Sequence, residues 1–223
     1  TEVSEYFGLY KSTVHNILST LKAMEYLEQD EETGKYRLGI QIFNLSKALG
    51  DTYSITKIAG PYMQELSNYT GERCYLAVPY RQEVLYLDAM YPADSIELMR
   101  SILGERAQMH CTGLGKAMLA NMGEREISDY LEHHKLEAFT ENSIIDKKQF
   151  REELLRTKQR GYALDDMEHE FGIKCIAMPV FDRTKNVYAA ISISGMANHF
   201  TDANIAEWAM LLKKYIRKIE SRL

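Results

Sequence analysis

The residue types most able to do chemistry lie in two short segments and one strand. Residues 110–116 are rich in glycine and lead into a predicted helix, so their free backbone N–H groups could hold an anion. The segment is not a phosphate-binding P-loop, because His110 and Ala117 stand where that pattern requires a glycine and a hydroxyl residue. A tight turn that lets the helix pack on a sheet explains the same glycines equally well.

The second segment is the acidic run 165–170, which is followed by Cys175. A charge run of this kind is most often a solvated loop. Ser192 and Ser194, however, are two residues apart in an otherwise apolar strand, so both hydroxyls face the same side. Buried hydroxyls need hydrogen-bond partners, and a small polar ligand could supply them. Cys175 is also typical of a small core residue.

These residues do not form a known catalytic or metal-binding pattern. Cys175 as a nucleophile would need a base, and no histidine is spaced to define a dyad with it. No nucleophile elbow of the G-x-S-x-G type is present. His110, Asp165, His169 and Cys175 include no closely spaced ligand pair of the kind found in zinc sites. We therefore predict no catalytic residue, no metal site and no cofactor.

Length and composition restrict the class of protein. The 223 residues suit two domains or one large one, and a net charge of −5 argues against non-specific adhesion to nucleic acid. No stretch approaches the length of a membrane span and no secretion signal is visible, so we predict no membrane partner. The three cysteines include no C-x-x-C pair and favour a reducing compartment, for which we predict the cytoplasm.

The elements that must position the candidate residues are hairpins and helices. The predicted strands cover 74–78, 84–89, 96–100, 175–181 and 187–194. The predicted helices cover 39–49, ending at Gly50, then 55–69, 114–121, 124–133, 146–160 and 205–219. Hairpin strands with helices at both ends indicate an α+β domain built on an antiparallel sheet, rather than a doubly wound parallel one.

The first 39 residues have the pattern of a helix-turn-helix followed by a hairpin wing. Residues 1–8 predict a short helix ended by Gly8, after which Leu9 packs inward. A second helix, from about Tyr10, carries a polar face opposite an apolar stripe of Val14, Ile17, Leu18, Leu21 and Met24. Segments 26–29 and 35–38 predict the two strands of the wing. A polar helix face of this kind is what a recognition helix presents to the major groove.

The charge of this region weakens the DNA-binding interpretation. Residues 1–50 hold five Lys and Arg against seven Asp and Glu, whereas DNA-binding modules are usually basic. An ordinary helix pair with a solvated polar face is the alternative. The positions of the basic residues partly offset this negative charge, because Lys11, Lys35 and Arg37 would line the side that faces the DNA groove. We also expect a further helix before residue 1, since a three-helix winged module needs one for its core.

Taken together, these segments resemble the IclR family of bacterial transcriptional regulators. The resemblance covers nearly the whole chain in the family's order and is carried by residues 11–15, 34–39, 110–120, 161–166, 172–177 and 190–195. It implies a winged helix-turn-helix over 1–38, a linker helix over 39–53 and a GAF-like antiparallel-sheet effector domain over 54–223. It also implies a homodimer or homotetramer on a palindrome of double-stranded operator DNA.

The resemblance further implies an effector site for a small organic acid. Backbone amides at Gly113 and Leu114 would hold the carboxylate, and the rest of the ligand would meet Asp165, Cys175, Ser192 and Ser194. Because an ionised Asp165 would repel a carboxylate, the two must serve opposite ends of the ligand, which predicts a small 2-oxo or hydroxy acid.

For the operator, the expected contacts come from the start of the second helix and from the wing: Lys11, Ser12, Thr13, His15, Asn16, Lys35 and Arg37. Two positions depart from the family pattern. Asn16 stands where the family usually has arginine, so groove contacts differ, and Met167 interrupts the acidic run after Asp166.

Two functional interpretations follow from the sequence. The first is a DNA-binding transcriptional regulator, not an enzyme, whose operator binding is modulated by a small organic acid. The second is a small-molecule enzyme or sensor in which the N-terminal helices are only a packing module. Sequence-specific, salt-dependent DNA affinity separates them, because only the first requires it.

Overall fold

The computed structural model describes residues 2–52, 55–94 and 102–223. The chain divides into two compact units, Thr1–Ser54 and Ile55–Leu223. The predicted strand at 96–100 lies outside the described residues. Within the described part, no helix combines the length and the apolar character needed to cross a bilayer.

The N-terminal unit contains three helices and a two-stranded hairpin. Its elements are α1 (Glu2–Phe7), α2 (Lys11–Ala23), β1 (Leu27–Gln29), β2 (Tyr36–Leu38) and α3 (Ile40–Thr52). Gly8 ends α1 at a φ of 64°, as its position predicts. The hairpin turn is held by Asp30, whose Oδ1 accepts hydrogen bonds from the backbone N–H groups of Glu32 and Thr33. This is the predicted helix-turn-helix with a wing.

Three details of this unit differ from the predictions. The apolar stripe of α2 is only partly covered, since Val14 is buried while Ile17 and Met24 are 47% and 54% exposed. Leu9, expected to pack inward, is 42% exposed. The reason is that α1 and two three-residue strands are too small to cover the whole stripe. Helix α3 also continues through Gly50, because an interior glycine costs a helix only about 1 kcal/mol.

The C-terminal unit is a six-stranded antiparallel sheet with helices packed on both faces. Its elements are α4 (Ile55–Thr70), β3 (Arg73–Tyr80), β4 (Glu83–Met90), β5 (Arg106–Gln108), α5 (Gly113–Leu119), α6 (Glu124–His133), α7 (Lys147–Arg160), β6 (Ala163–Asp166), β7 (Ile173–Phe181), β8 (Val187–Met196) and α8 (Asp202–Glu220). The strand order is β5-β4-β3-β8-β7-β6. The predicted α+β class with an antiparallel sheet is therefore confirmed.

Side-chain size explains which helix packs on which face. Ala77, Ala177 and Ala190 face one side of the sheet and belong to the same buried cluster as α5 residues such as Leu114 and Met118. Alternate positions carry larger side chains, among them Leu76, Ile176 and Ile191, and these are buried as well. Alternation along a strand puts the two sets on opposite faces. The small residues let α5 approach the sheet closely.

The β3–β4 hairpin is tighter than predicted. We expected five residues between the strands, but only Arg81 and Gln82 form the turn, with φ values of 51° and 63°. Two-residue turns with positive φ normally use Asn or Gly, and neither is present, so no residue type signals this turn. Strand β5 was not predicted, and β6 was expected only as a strand of unstated bounds before the acidic run 165–170, because three or four residues are too few for a periodic pattern.

The helices before β6 match their predictions closely. Helix α6 has the predicted bounds. Helix α7 is capped by Asp146, whose Oδ1 accepts from the backbone N–H of Gln149 at 2.8 Å, and it ends at Gly161 with a φ of 83°. These local signals fix where β6 begins, and β6 carries Asp165.

Candidate effector-binding and DNA-binding sites

A cavity of about 450 Å³ opens on the sheet face that packs against α5. The six residues predicted to hold an effector all line it: Gly113, Leu114, Asp165, Cys175, Ser192 and Ser194. Strand register brings most of them together. Asp165 on β6 pairs with Cys175 on β7, and Cys175 pairs with Ser194 on β8. The three side chains therefore lie side by side on adjacent strands.

The glycine-rich turn borders the cavity at the start of α5. Thr112 caps the helix, and its Oγ1 accepts from the backbone N–H of Gly115 at 3.2 Å. A Cβ added at Gly115 would lie 2.3 Å from the backbone of Met109, and one added at Gly113 would lie 2.5 Å from the Cys175 Sγ. Both glycines are therefore required for close packing, and that packing also brings the Gly113 and Leu114 amides to the cavity wall.

Asp165 is a buried carboxyl group with an unusual pKa. Its Oδ1 accepts from the backbone N–H of Glu168 at 2.8 Å, and the Cys175 thiol donates toward Oδ2 at 3.9 Å. Burial raises the pKa of Asp165 to about 7, against the opposing positive charge of Lys116. Asp165 therefore exchanges its proton near neutral pH.

An ion pair between Lys116 of α5 and Glu168, on the loop after β6, lies beside Asp165. The Lys116 side chain is fully buried and that of Glu168 is 6% exposed. This pair was not predicted from the sequence. The signal in the sequence was Lys116, which stands within the otherwise apolar residues 113–120. If this helix is buried on all sides, the charge of the lysine needs a buried partner of opposite charge.

The remaining cavity wall combines serine residues with aromatic rings. Ser192 and Ser194 are buried residues that line the cavity. Tyr75 and Tyr86 form an edge-to-face pair with ring centroids 5.7 Å apart. Neither tyrosine was predicted from the sequence as a cavity residue, because only the sheet register places them there, and His169 reaches the cavity from the loop between β6 and β7.

The buried thiols are poorly suited to nucleophilic chemistry. Burial raises the pKa of Cys111 to about 12 and holds that of Cys175 well above its ordinary value. Thiols of this kind stay protonated at neutral pH, and the thiolate is the reactive form. In the described part of the chain, no three His, Cys, Asp or Glu side chains are arranged to hold a metal ion.

The seven residues predicted to contact DNA are all exposed in the N-terminal unit. Five lie in the first two turns of α2, and Lys35 and Arg37 lie on the wing. Arg37 is engaged within the wing, because its Nη2 is 2.7 Å from the Glu28 Oε2. A phosphate bound by Arg37 would therefore compete with Glu28.

Comparison with known proteins covers both units. Residues 1–31 match the family model of the IclR helix-turn-helix domain, and residues 47–221 match that of the bacterial transcriptional regulator IclR C-terminal domain. The HTH-type transcriptional regulator XynR of Escherichia coli K12 is 32% identical over 214 residues, which cover 96% of this chain and 84% of XynR.

Two solved structures have the same fold. The Thermotoga maritima IclR structure matches with a TM-score of 0.85 and 29% identity, over 100% of this chain and 89% of that one. An IclR homologue from Microbacterium hydrocarbonoxydans, complexed with 4-hydroxybenzoate, matches with a TM-score of 0.86 and 22% identity, over 98% and 88% of the two chains. The C-terminal family model alone matches well over half of the sequence, and this chain belongs to the IclR family of bacterial transcriptional regulators.

Proposed function

We propose that a small organic acid binds in the cavity of the C-terminal unit and changes the affinity of this regulator for operator DNA. The observation that carries the proposal is that all six residues predicted to hold an effector line one cavity, with the backbone of Gly113 and Leu114 and the side chains of Asp165, Ser192 and Ser194 on its wall. In this proposal the protein is a regulator and not an enzyme, and it needs no cofactor.

The proposal assigns a role to each part of the chain. Residues 1–38 read DNA, residues 39–53 form a linker helix and residues 54–223 bind the effector. The protein acts in the cytoplasm as a homodimer or homotetramer, because one small recognition helix contacts only one half-site of a palindromic operator. An effector acts by favouring one of two arrangements of the N-terminal units of the oligomer. The size of the shift is limited by how much more tightly the effector binds one arrangement than the other.

The ligand has two chemically different ends. Its carboxylate lies against the Gly113 and Leu114 amides at the start of α5, and a hydroxyl or hydrated keto group faces Asp165, Ser192 and Ser194. The size and the aromatic wall of the cavity favour an acid larger than two carbons. The homologue complexed with 4-hydroxybenzoate supports this assignment, since that compound carries a carboxylate and a hydroxyl at opposite ends.

A thermal-shift screen against small carboxylates, sugar acids and aromatic acids tests the effector site. A ligand at one hundred times its Kd stabilises the native state by about 2.7 kcal/mol. We expect Asp165→Ala to abolish the shift with a hydroxylated acid and Ser192→Ala to reduce it, because removing a carboxyl group leaves more hydrogen-bonding demand unmet than removing a single hydroxyl. Ser221→Ala, on the exposed end of the chain, is the control. Binding only of large apolar compounds, indifferent to Asp165→Ala, contradicts the proposal.

Operator binding tests the regulatory function. Selection of bound fragments from genomic DNA should give a palindromic site, and affinity for it should fall steeply with salt. Thr13→Ala or Asn16→Ala should cost about 1–3 kcal/mol on the selected site and little on random DNA. Equal losses on both DNAs would exclude base reading by these side chains.

A further inference from the structure

His169 is held in a defined position at the mouth of the effector cavity. It follows β6 in the chain, lines the cavity and has its Nδ1 3.5 Å from the Sγ of Cys111. Its ring packs against Phe139 with centroids 5.4 Å apart. Two contacts on different sides of the imidazole therefore fix the ring.

The contact with Cys111 determines which ring nitrogen carries the proton. Because burial raises the pKa of Cys111 to about 12, its sulfur bears a hydrogen at neutral pH. The thiol hydrogen has two acceptors within reach, the His169 Nδ1 at 3.5 Å and the Gln108 carbonyl at 3.8 Å, and the carbonyl also accepts from the Thr112 hydroxyl at 3.0 Å. We assign the thiol hydrogen to the shorter contact, with Nδ1, so that the neutral imidazole carries its proton on Nε2.

The neutral form of this imidazole is the relevant one at physiological pH. Partial burial lowers the pKa of His169, and the nearby charge of Glu170 acts in the opposite direction. Nε2 lies across the ring from the Cys111 contact, and no other described residue hydrogen-bonds to this ring. Its N–H is therefore available to a ligand in the cavity.

His169 is also close to Asp165, because the backbone N–H of His169 donates a hydrogen bond to the Asp165 carboxyl group. This hydrogen bond lowers the pKa of Asp165, in opposition to the larger effect of burial. A hydroxyl group both donates and accepts hydrogen bonds, whereas an oxo group only accepts them. We propose that His169 is a specificity-determining residue, whose Nε2–H donates to an effector hydroxyl that in turn donates to Asp165. The inference rests on the proposed effector site and narrows its ligand to hydroxy acids.

Matched pairs of acids with and without a hydroxyl test the inference by isothermal titration calorimetry. The probes are 4-hydroxybenzoate with benzoate, and lactate with propionate. Wild type should prefer the hydroxylated member of at least one pair by about tenfold, the value of one good hydrogen bond. His169→Leu should reduce that preference to about twofold or less by weakening only the hydroxylated member, and His169→Gln, which keeps an N–H donor, should retain most of it. His133→Leu, an exposed histidine on α6, is the matched control.

Nitrogen NMR of the unliganded wild-type protein reads the tautomer directly. The His169 Nδ1 should resonate as an unprotonated ring nitrogen and Nε2 as a protonated one. Cys111→Ala should mix the two forms, while Cys111→Ser, which keeps a donor, should preserve the Nε2–H form. These spectra are independent of any ligand and of a general loss of stability.

The outcomes separate this inference from the proposed function. If wild type binds both members of each pair equally, or if Nδ1 carries the proton, the effector site stands and the role of His169 is wrong. If His169→Leu keeps the preference for the hydroxyl, the role is also wrong. If no carboxylate in the wider screen binds wild type, the effector proposal itself fails and this inference fails with it.

Discussion

Replacing Lys116 by methionine should strongly destabilise the C-terminal unit. The Lys116 side chain is fully buried and its partner Glu168 is 6% exposed. The Oε2 of Glu168 is buried and has no hydrogen-bond partner among the described residues, so Lys116 is the main compensation for this carboxylate. Removing one member of a buried ion pair typically costs about 3–5 kcal/mol. In a unit of this size the same loss lowers Tm by about 6–20 °C.

The destabilisation should depend on pH in a defined direction. Burial raises the pKa of Glu168, and the charge of Lys116 opposes that effect. Without Lys116 the folded-state pKa rises further above the unfolded value, so the folded state binds the proton more tightly. The Lys116→Met variant therefore loses least stability below the unfolded-state pKa of Glu168. The free energy of unfolding of this variant falls as the pH rises through the folded-state pKa of Glu168.

Urea denaturation followed by the fluorescence of Trp208 measures the effect. This residue is the one tryptophan of the sequence and is buried on α8, so it reports on the C-terminal unit. Lys148→Met, at an exposed position on α7, should change stability by no more than about 0.5 kcal/mol. The double variant Lys116→Met, Glu168→Leu should regain most of the loss, because no unpaired charge stays buried. A single variant within about 1 kcal/mol of wild type, or a double variant no more stable than the single one, would refute the reasoning.

Three further predictions concern the two binding sites. Asp165 has a pKa of about 7 in the free protein, and the negative charge of a bound carboxylate raises that pKa further, so binding takes up protons. Affinity measured by calorimetry should therefore fall as the pH rises above about 7, and Asp165→Asn should lose most of that dependence. Glu28→Gln releases Arg37 from its ion pair, so the affinity for non-specific DNA, measured by fluorescence anisotropy, should rise. The slope of log affinity against log salt concentration should steepen by up to about one. An unchanged slope would mean that Arg37 does not contact phosphate. Gly113→Ala places a Cβ 2.5 Å from the Cys175 sulfur and should lower the free energy of unfolding, measured by thermal denaturation, by about 1–3 kcal/mol. Adding Cys175→Ala should recover part of this stability, because it removes the sulfur that the new Cβ meets. If the double variant recovers nothing, the strain lies elsewhere.

The sequence alone predicted features whose cause lies within a few residues. Gly8 and Gly161 end their helices with positive φ, and Asp146 caps α7, because each depends only on the adjacent turn. The placement of Ser192 and Ser194 on one face follows from the two-residue period of a strand. The turn at Arg81 and Gln82 was missed because neither residue type favours positive φ, so only the pairing of β3 with β4 explains it.

The cavity itself depends on contacts between residues far apart in the chain. Asp165 meets Cys175 and Cys175 meets Ser194 through the register of three strands, which no local pattern contains. The resemblance to a known family named in advance six residues that line the cavity, but it did not identify Lys116 paired with Glu168 or His169 beside Cys111. Local sequence determined which segments become helices and strands. Tertiary packing decided which polar groups are buried together, and burial is what sets their charge and hydrogen bonding.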